Sequence, residues 1–269
     1  MKPYRNLPIA ECGEPLVVIP AGRFLLTEPP PYAAFGAPYA EVSPWLLRSG
    51  VLSALRVARD ALYARRAGWR LKIFDAYRPN AVQRFMVNHE FLQISGGRPP
   101  ESVAEPERSA LLERVYRIWA EPSDDPATPP PHSTGAALDL TLADERGMEA
   151  PMGSPIDENS DRSNPDYFDG RDAVVQAHSQ LLNAVMTAAG FRRHPFEWWH
   201  FSLGDQLWAW QALREEPACG VFARYGRADL LDPAAVGSEP WAPLSTNQHC
   251  QRFRPIRPNL GSASRRSDN

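Results

Sequence analysis

Proline limits what this chain can build. Its 28 prolines gather in clusters, at Pro29 to Pro31, at Pro99 and Pro100, and at Pro126 with Pro129 to Pro131. A proline within a helix removes a backbone donor and clashes with the preceding turn, so each cluster marks a loop. Regular elements must fit between them. Residues 44–67 carry Leu47, Val51, Leu55, Ala58 and Leu62 at spacings of three and four, with Pro44 at the start and Gly68 at the end, which predicts an amphipathic helix. In WRLKIFDAYRP, Leu71, Ile73 and Asp75 alternate with Lys72 and Phe74, which predicts a strand emerging into a loop at Tyr77 to Pro79.

Further helices are expected from Pro79 to about Ile94, with Val82, Phe85, Met86 and His89 on one face, from roughly 105 to 120, and through DAVVQAHSQLLNAVMTAAG to Gly190. The segments ALDLTL (137–142) and WWHFSL (198–203) remain as short strands. Helices alternating irregularly with a few short strands predict an α+β domain, its sheet covered mainly on one side. The stretch from Gln248 onward is polar, basic and serine-rich and predicts a disordered tail, which leaves 1–247 as a single domain.

Composition narrows the partners. With 269 residues, 43% of them hydrophobic, the chain is expected to form a soluble globular core, and a net charge of -3 from nearly balanced acids and bases gives no bulk attraction to nucleic acid or a membrane surface. The opening MKPYRNLPIAECGEPLVVIP lacks the unbroken apolar run of a secretory signal. No apolar stretch reaches the roughly 18 residues that read as a membrane span. Cys12, Cys219 and Cys250 are few, odd in number and scattered, which fits unpaired thiols and a cytoplasmic location.

Chemistry gathers in two stretches. FEWWHFSLGD (196–205) sets Glu197 and His200 among aromatic residues, where a carboxylate is costly unless paired or bound to a metal. In PPPHSTGAALDLTL, strand alternation puts Leu138, Leu140 and Leu142 on one side and Asp139 on the other, and Gly135 allows a turn that returns His132 over the strand. Adding His200 gives two imidazoles and a carboxylate, a set that suits catalytic zinc with one position left for water. Glu197, not needed as a ligand, is then suited to accept a proton from the attacking water. The residues alone fit a structural polar cluster equally well, with Asp139 bonded to a loop and Glu197 paired with Arg192 or Arg193. His89, His178, His194 and His249 are read as structural or solvated.

The order of motifs is more specific. His132, a glycine three residues on, an aspartate seven residues on and a distant Glu-Trp-Trp-His resemble the zinc D-alanyl-D-alanine dipeptidases of the VanX type, as do FDAYRP (74–79) and PMGSPID (151–157). The resemblance implies a compact α+β fold with a small antiparallel sheet, flanking helices and one zinc in a closed cleft. It implies that His132, Asp139 and His200 bind the zinc, that Glu197 is the catalytic base, that Arg78 stabilises the oxyanion and that Asp157 holds the ammonium group of a small D,D-dipeptide substrate. This chain departs from the family pattern at Pro130, where a serine is usual, and in the preceding insert EPSDDPATPPP. A peptidoglycan stem-peptide carboxypeptidase or endopeptidase with the same metal chemistry is the rival function, and the lack of an export signature disfavours it. A non-catalytic zinc-binding module is the other rival; it would need neither Glu197 nor Arg78.

Overall fold

A computed structural model describes residues 2–217 and 220–230. Its strands are β1 (Leu16–Val18), β2 (Leu25–Leu26), β3 (Leu46–Arg48), β4 (Arg70–Asp75), β5 (Ala137–Ala143), β6 (Arg192–Arg193) and β7 (His200–Ser202). Its helices are α1 (Pro31–Ala34), α2 (Ser49–Arg65), α3 (Asn80–Ile94), α4 (Glu107–Val115), α5 (Ala173–Ala188) and α6 (Gln206–Glu215). A five-stranded sheet runs β2-β4-β5-β7-β6, and β1 pairs with β3 in a separate ribbon. This is the α+β fold expected. The sheet is antiparallel except at its edge, where β2 joins β4 in parallel.

Every residue of β5 is buried, because the strand is central and covered on both faces. Leu138, Leu140 and Leu142 share a core with Val51, Leu55, Ala58 and Leu62 of α2 and with Leu182, Val185 and Met186 of α5. A second cluster joins Val82, Met86 and Phe91 of α3 with Leu111 and Val115 of α4, Tyr32 and Trp119, and Phe74 packs on it from β4. Apolar cover is therefore not confined to one side as expected.

The helix expected over 44–67 begins only at Ser49. Leu46–Arg48 pairs instead with Leu16–Val18, the Trp45 carbonyl accepts from the Ile19 N–H, and the Arg48 N–H donates to the Gly135 carbonyl. Those bonds hold the segment extended, and Leu47 reaches the same core as a strand residue. On α3 the buried face is carried by Val82, Gln83, Met86, Val87 and Phe91, while His89 is half-buried and stacked against Phe35. The helix expected over 105–120 is limited to Glu107–Val115, and the strand expected over 198–203 to His200–Ser202. No helix among the described residues is long and apolar enough to cross a membrane. Cys219, His249, Cys250 and the tail from Gln248 lie outside the described residues.

Candidate metal centre

A β-bulge builds the floor of the site. Ile73 lies opposite Leu140, but the next partner of β5 is Asp75, opposite Asp139, so Phe74 is the extra residue. The insertion turns Asp75 to the face that Asp139 occupies. On its other edge β5 sets Asp139 opposite His200. Three neighbouring strands thus present Asp75, Asp139 and His200 in one row. His132 comes from a short 3-10 turn, Pro131–Thr134, that ends at Gly135 with φ 71°. That left-handed φ favours glycine, and a Cβ would also press on the end of the Leu16 side chain.

Hydrogen bonds fix which imidazole nitrogens are free. His132 Nδ1 donates to the Ala76 carbonyl at 2.7 Å, which leaves a lone pair on Nε2. His200 Nε2 donates to Ser202 Oγ at 3.3 Å, Ser202 donates onward to Asp205 at 2.8 Å, and a lone pair remains on His200 Nδ1. Those two nitrogens stand 3.1 Å apart, with Asp139 oxygens 3.0 Å from His200 Nδ1 and 3.2 Å from His132 Nε2. Three lone-pair donors with no hydrogen among them repel unless a cation lies between them. Donors bound tetrahedrally at 2.0–2.2 Å stand roughly 3.3–3.6 Å apart. The donor set fits a metal ion with only slight adjustment. All three side chains are buried, and their second atoms are tied as ligand-orienting groups usually are.

Glu197 is buried beside this set. Its Oε2 lies 3.8 Å from His200 Nδ1, and its Oε1 has no hydrogen-bond partner among the described residues. His194 Nδ1 lies 3.3 Å from Oε1, but that atom already accepts from the Phe196 N–H. Burial pushes the Glu197 carboxyl up to about 8, against the pull of the Lys2 charge. Neither arginine proposed as its structural partner takes that role: Arg192 pairs with Glu215, and Arg193 bonds Ser179 and lies near Asp166. The structural explanation of Glu197 thus loses its partner. His194, expected to be structural, lines the same cavity as Glu197.

Arg78 is buried and fully engaged. It donates twice to Asp75 Oδ2 (3.1 and 2.8 Å), to Gln83 Oε1 at 2.8 Å, to Tyr32 Oη at 3.1 Å and to Asp139 Oδ2 at 3.4 Å. The Tyr32 and Trp119 rings lie 4.6 and 5.1 Å from its guanidinium carbon. Tyr32 in turn donates to Asp157 Oδ2 at 2.9 Å. Asp157 has a left-handed backbone, φ 67°, unusual for a residue with a side chain. Burial raises its carboxyl to about 8, and the nearby Asp139 charge adds to the rise.

All six residues singled out from the sequence, His132, Asp139, His200, Glu197, Arg78 and Asp157, line one cavity. Sequence reasoning missed Tyr32, the Arg78-orienting Asp75 and the Ser202–Asp205 relay. Ser-Leu-Gly-Asp before an apolar run was a helix-start signal that could have flagged the last of these. Tyr32, after three prolines, carried no comparable signal. The proline-rich insert is anchored through Asp124, bonded by Asn80, and the Ala127 carbonyl, bonded by Gln206, and its last residue, Pro131, lines the cavity.

Known proteins resemble this chain over the span that carries the site. A family model for M15 peptidases, described as D-Ala-D-Ala dipeptidase, matches residues 26–216. A D-alanyl-D-alanine dipeptidase of Synechocystis sp. is 45% identical over 241 residues, covering 85% of this chain and 98% of the relative. Similarly named proteins of Escherichia coli and Enterococcus faecalis are 31% and 30% identical, covering 65% and 62% of this chain and 75% and 77% of their own lengths. Because the family model spans every residue of the cavity floor and the Synechocystis relative is matched nearly end to end, this chain belongs to the D-Ala-D-Ala dipeptidase family of M15 metallopeptidases.

Proposed function

We propose that the protein is a zinc dipeptidase that hydrolyses D-Ala-D-Ala, or a similar D,D-dipeptide, to free D-amino acids. One observation carries the reading: a buried carboxylate oxygen of Glu197, without a partner among the described residues, faces a cavity where two imidazole lone pairs and Asp139 converge. His132, Asp139 and His200 would hold one zinc. Bound there, zinc supplies a Lewis acid that activates water and polarises the scissile carbonyl.

The side chains do the rest. Glu197 accepts the proton of the attacking water and returns it to the leaving amine, a task suited to a carboxyl whose affinity for protons burial has raised. Arg78 sets a fixed positive charge beside the carbonyl as its oxygen becomes negative. Asp75, Gln83 and Tyr32 prevent that charge from moving. Asp157 pairs with the substrate's ammonium, and Tyr32 links it to Arg78, so amine and carbonyl are held in register.

The reading extends to a cytoplasmic enzyme whose catalytic domain spans 1–247. Its support is an exposed free thiol at Cys12 and one apolar core that includes both Ile19 and Tyr225. The test is metal analysis of the purified protein followed by D-alanine release from D-Ala-D-Ala, L-Ala-L-Ala and a pentapeptide stem. We expect one zinc per chain and turnover of the D,D-dipeptide alone. Preferred cleavage of the stem peptide would replace the dipeptidase by a cell-wall carboxypeptidase.

A further inference from the structure

We propose that Lys2 binds the terminal carboxylate of the substrate, which makes it a specificity-determining residue of the site; this rests on the dipeptidase reading above. A free dipeptide carries a positive charge at one end and a negative charge at the other. With its ammonium at Asp157 and its carbonyl between the metal ligands and Arg78, its carboxylate extends away from Asp157. A cation is needed at that far end.

Apart from its histidines, the cavity has two basic side chains in its lining, Arg78 and Lys2. Arg78 already serves Asp75, Asp139, Gln83 and Tyr32. The Lys2 ammonium has no hydrogen bond or ion pair among the described residues. Its position along the cavity follows from the walls it shares. Lys2, Tyr4, His194 and Leu207 also line a second groove whose walls include neither Arg78 nor Asp157, so Lys2 stands at a boundary of the cavity that those two residues do not reach.

Lys2 is held there by its own segment. The turn Pro3–Asn6 packs on α6, Tyr4 is buried, and Gln206 Nε2 donates to the carbonyls of Arg5 (3.2 Å) and Leu7 (2.6 Å). Beyond Lys2 lies a second, largely apolar groove lined by Tyr116, Phe196 and Trp210, and Lys2, Tyr4 and His194 belong to the walls of both. The ammonium thus stands where the polar cavity ends. An unpaired ammonium in a confined site is costly, and a substrate carboxylate is the partner that relieves it.

The test compares D-Ala-D-Ala with its C-terminal amide in the zinc-loaded wild type, Lys2→Met and Lys2→Arg, at equal zinc content and with melting temperatures recorded. We expect the wild type to prefer the free acid. Lys2→Met should raise KM for D-Ala-D-Ala by about 10- to 100-fold, as loss of one charge-assisted hydrogen bond does. It should leave kcat within a few fold and the amide nearly unaffected, and Lys2→Arg should restore most of the preference. Equal losses on acid and amide, or an unchanged KM, would overturn the assignment and leave the dipeptidase reading standing. A zinc-loaded wild type that cleaves neither compound would overturn both.

Discussion

Glu197 and Arg78 occupy one cavity for opposite reasons: the first lacks partners among the described residues and the second has them on every side. A lone buried carboxylate is suited to exchanging protons, and a saturated guanidinium is suited to staying in place. Glu197→Gln should therefore keep the fold and a full equivalent of zinc while kcat falls by about 10²-fold or more, since the amide keeps the shape but cannot accept the proton. Near-normal turnover in that variant would assign the base elsewhere. Arg78→Lys preserves charge but loses the fork that spans Asp75, Gln83 and Tyr32. We expect kcat to drop by about 10²- to 10³-fold with a smaller change in KM, because the partner charge grows only in the transition state. A change confined to KM would point to ground-state binding. At this scale the direction of Asp139 was legible, because strand alternation alone turns it away from three leucines, and the structure adds its convergence with His132 and His200. Asp75 was not: alternation grouped it with Leu71 and Ile73, and the bulge at Phe74 reverses its face.

Secondary-structure elements meet the site most directly at Asp205. One oxygen of this carboxylate caps α6 by accepting from the Trp208 N–H at 2.8 Å, and the other accepts from Ser202, which holds the ring of His200. The start of a helix and the orientation of His200, a ligand in the proposed zinc site, thus depend on one side chain. Asp205→Ala should cost about 0.5–2 kcal/mol for the lost cap. It should also weaken zinc binding by about 10- to 100-fold, the usual effect of removing a group behind a ligand. Asp205→Asn can still cap through its carbonyl oxygen, so it should recover stability more than metal affinity. Thermal melts with and without a chelator, together with competition against a zinc indicator, separate the two effects. If both variants lost stability and affinity in the same proportion, the two oxygens would not have separate roles. Element boundaries were harder to read than element faces. The apolar spacing from Leu47 to Leu62 correctly gave the buried side of α2, yet the helix starts two residues after Leu47. The reason is that β1 and Gly135, distant in sequence, claim the backbone of Leu46–Arg48.

The whole molecule decides how long a substrate can be. Its central sheet positions Asp139 and His200, Tyr32 ties Asp157 to Arg78, and the cavity is lined both by Asp157 and by Lys2 and Tyr4 of the opening segment. The link between Tyr32 and Asp157 was not visible as a local pattern, since the two are 125 residues apart and only Asp157 lies in a motif that carries the family resemblance. If Asp157 pairs with the free ammonium of the substrate, the distance from amine to cleaved bond is set at one residue. Capping the amine removes its charge, leaves a confined carboxylate without its cation and adds bulk where the loop closes. D-Ala-D-Ala should therefore be cleaved at least about 10²-fold more efficiently, in kcat/KM, than N-acetyl-D-Ala-D-Ala, a ratio within reach of one lost charge pair. Asp157→Ala should narrow that gap by impairing the free dipeptide far more than the acetylated one, with D-alanine release measured at equal zinc occupancy. A variant that lost both activities in parallel would make Asp157 a loop-shaping residue, consistent with its left-handed backbone. A wild type that cleaved the acetylated compound as fast as the free one would show a cavity open at the Asp157 end, and the length rule argued from its closure would fail.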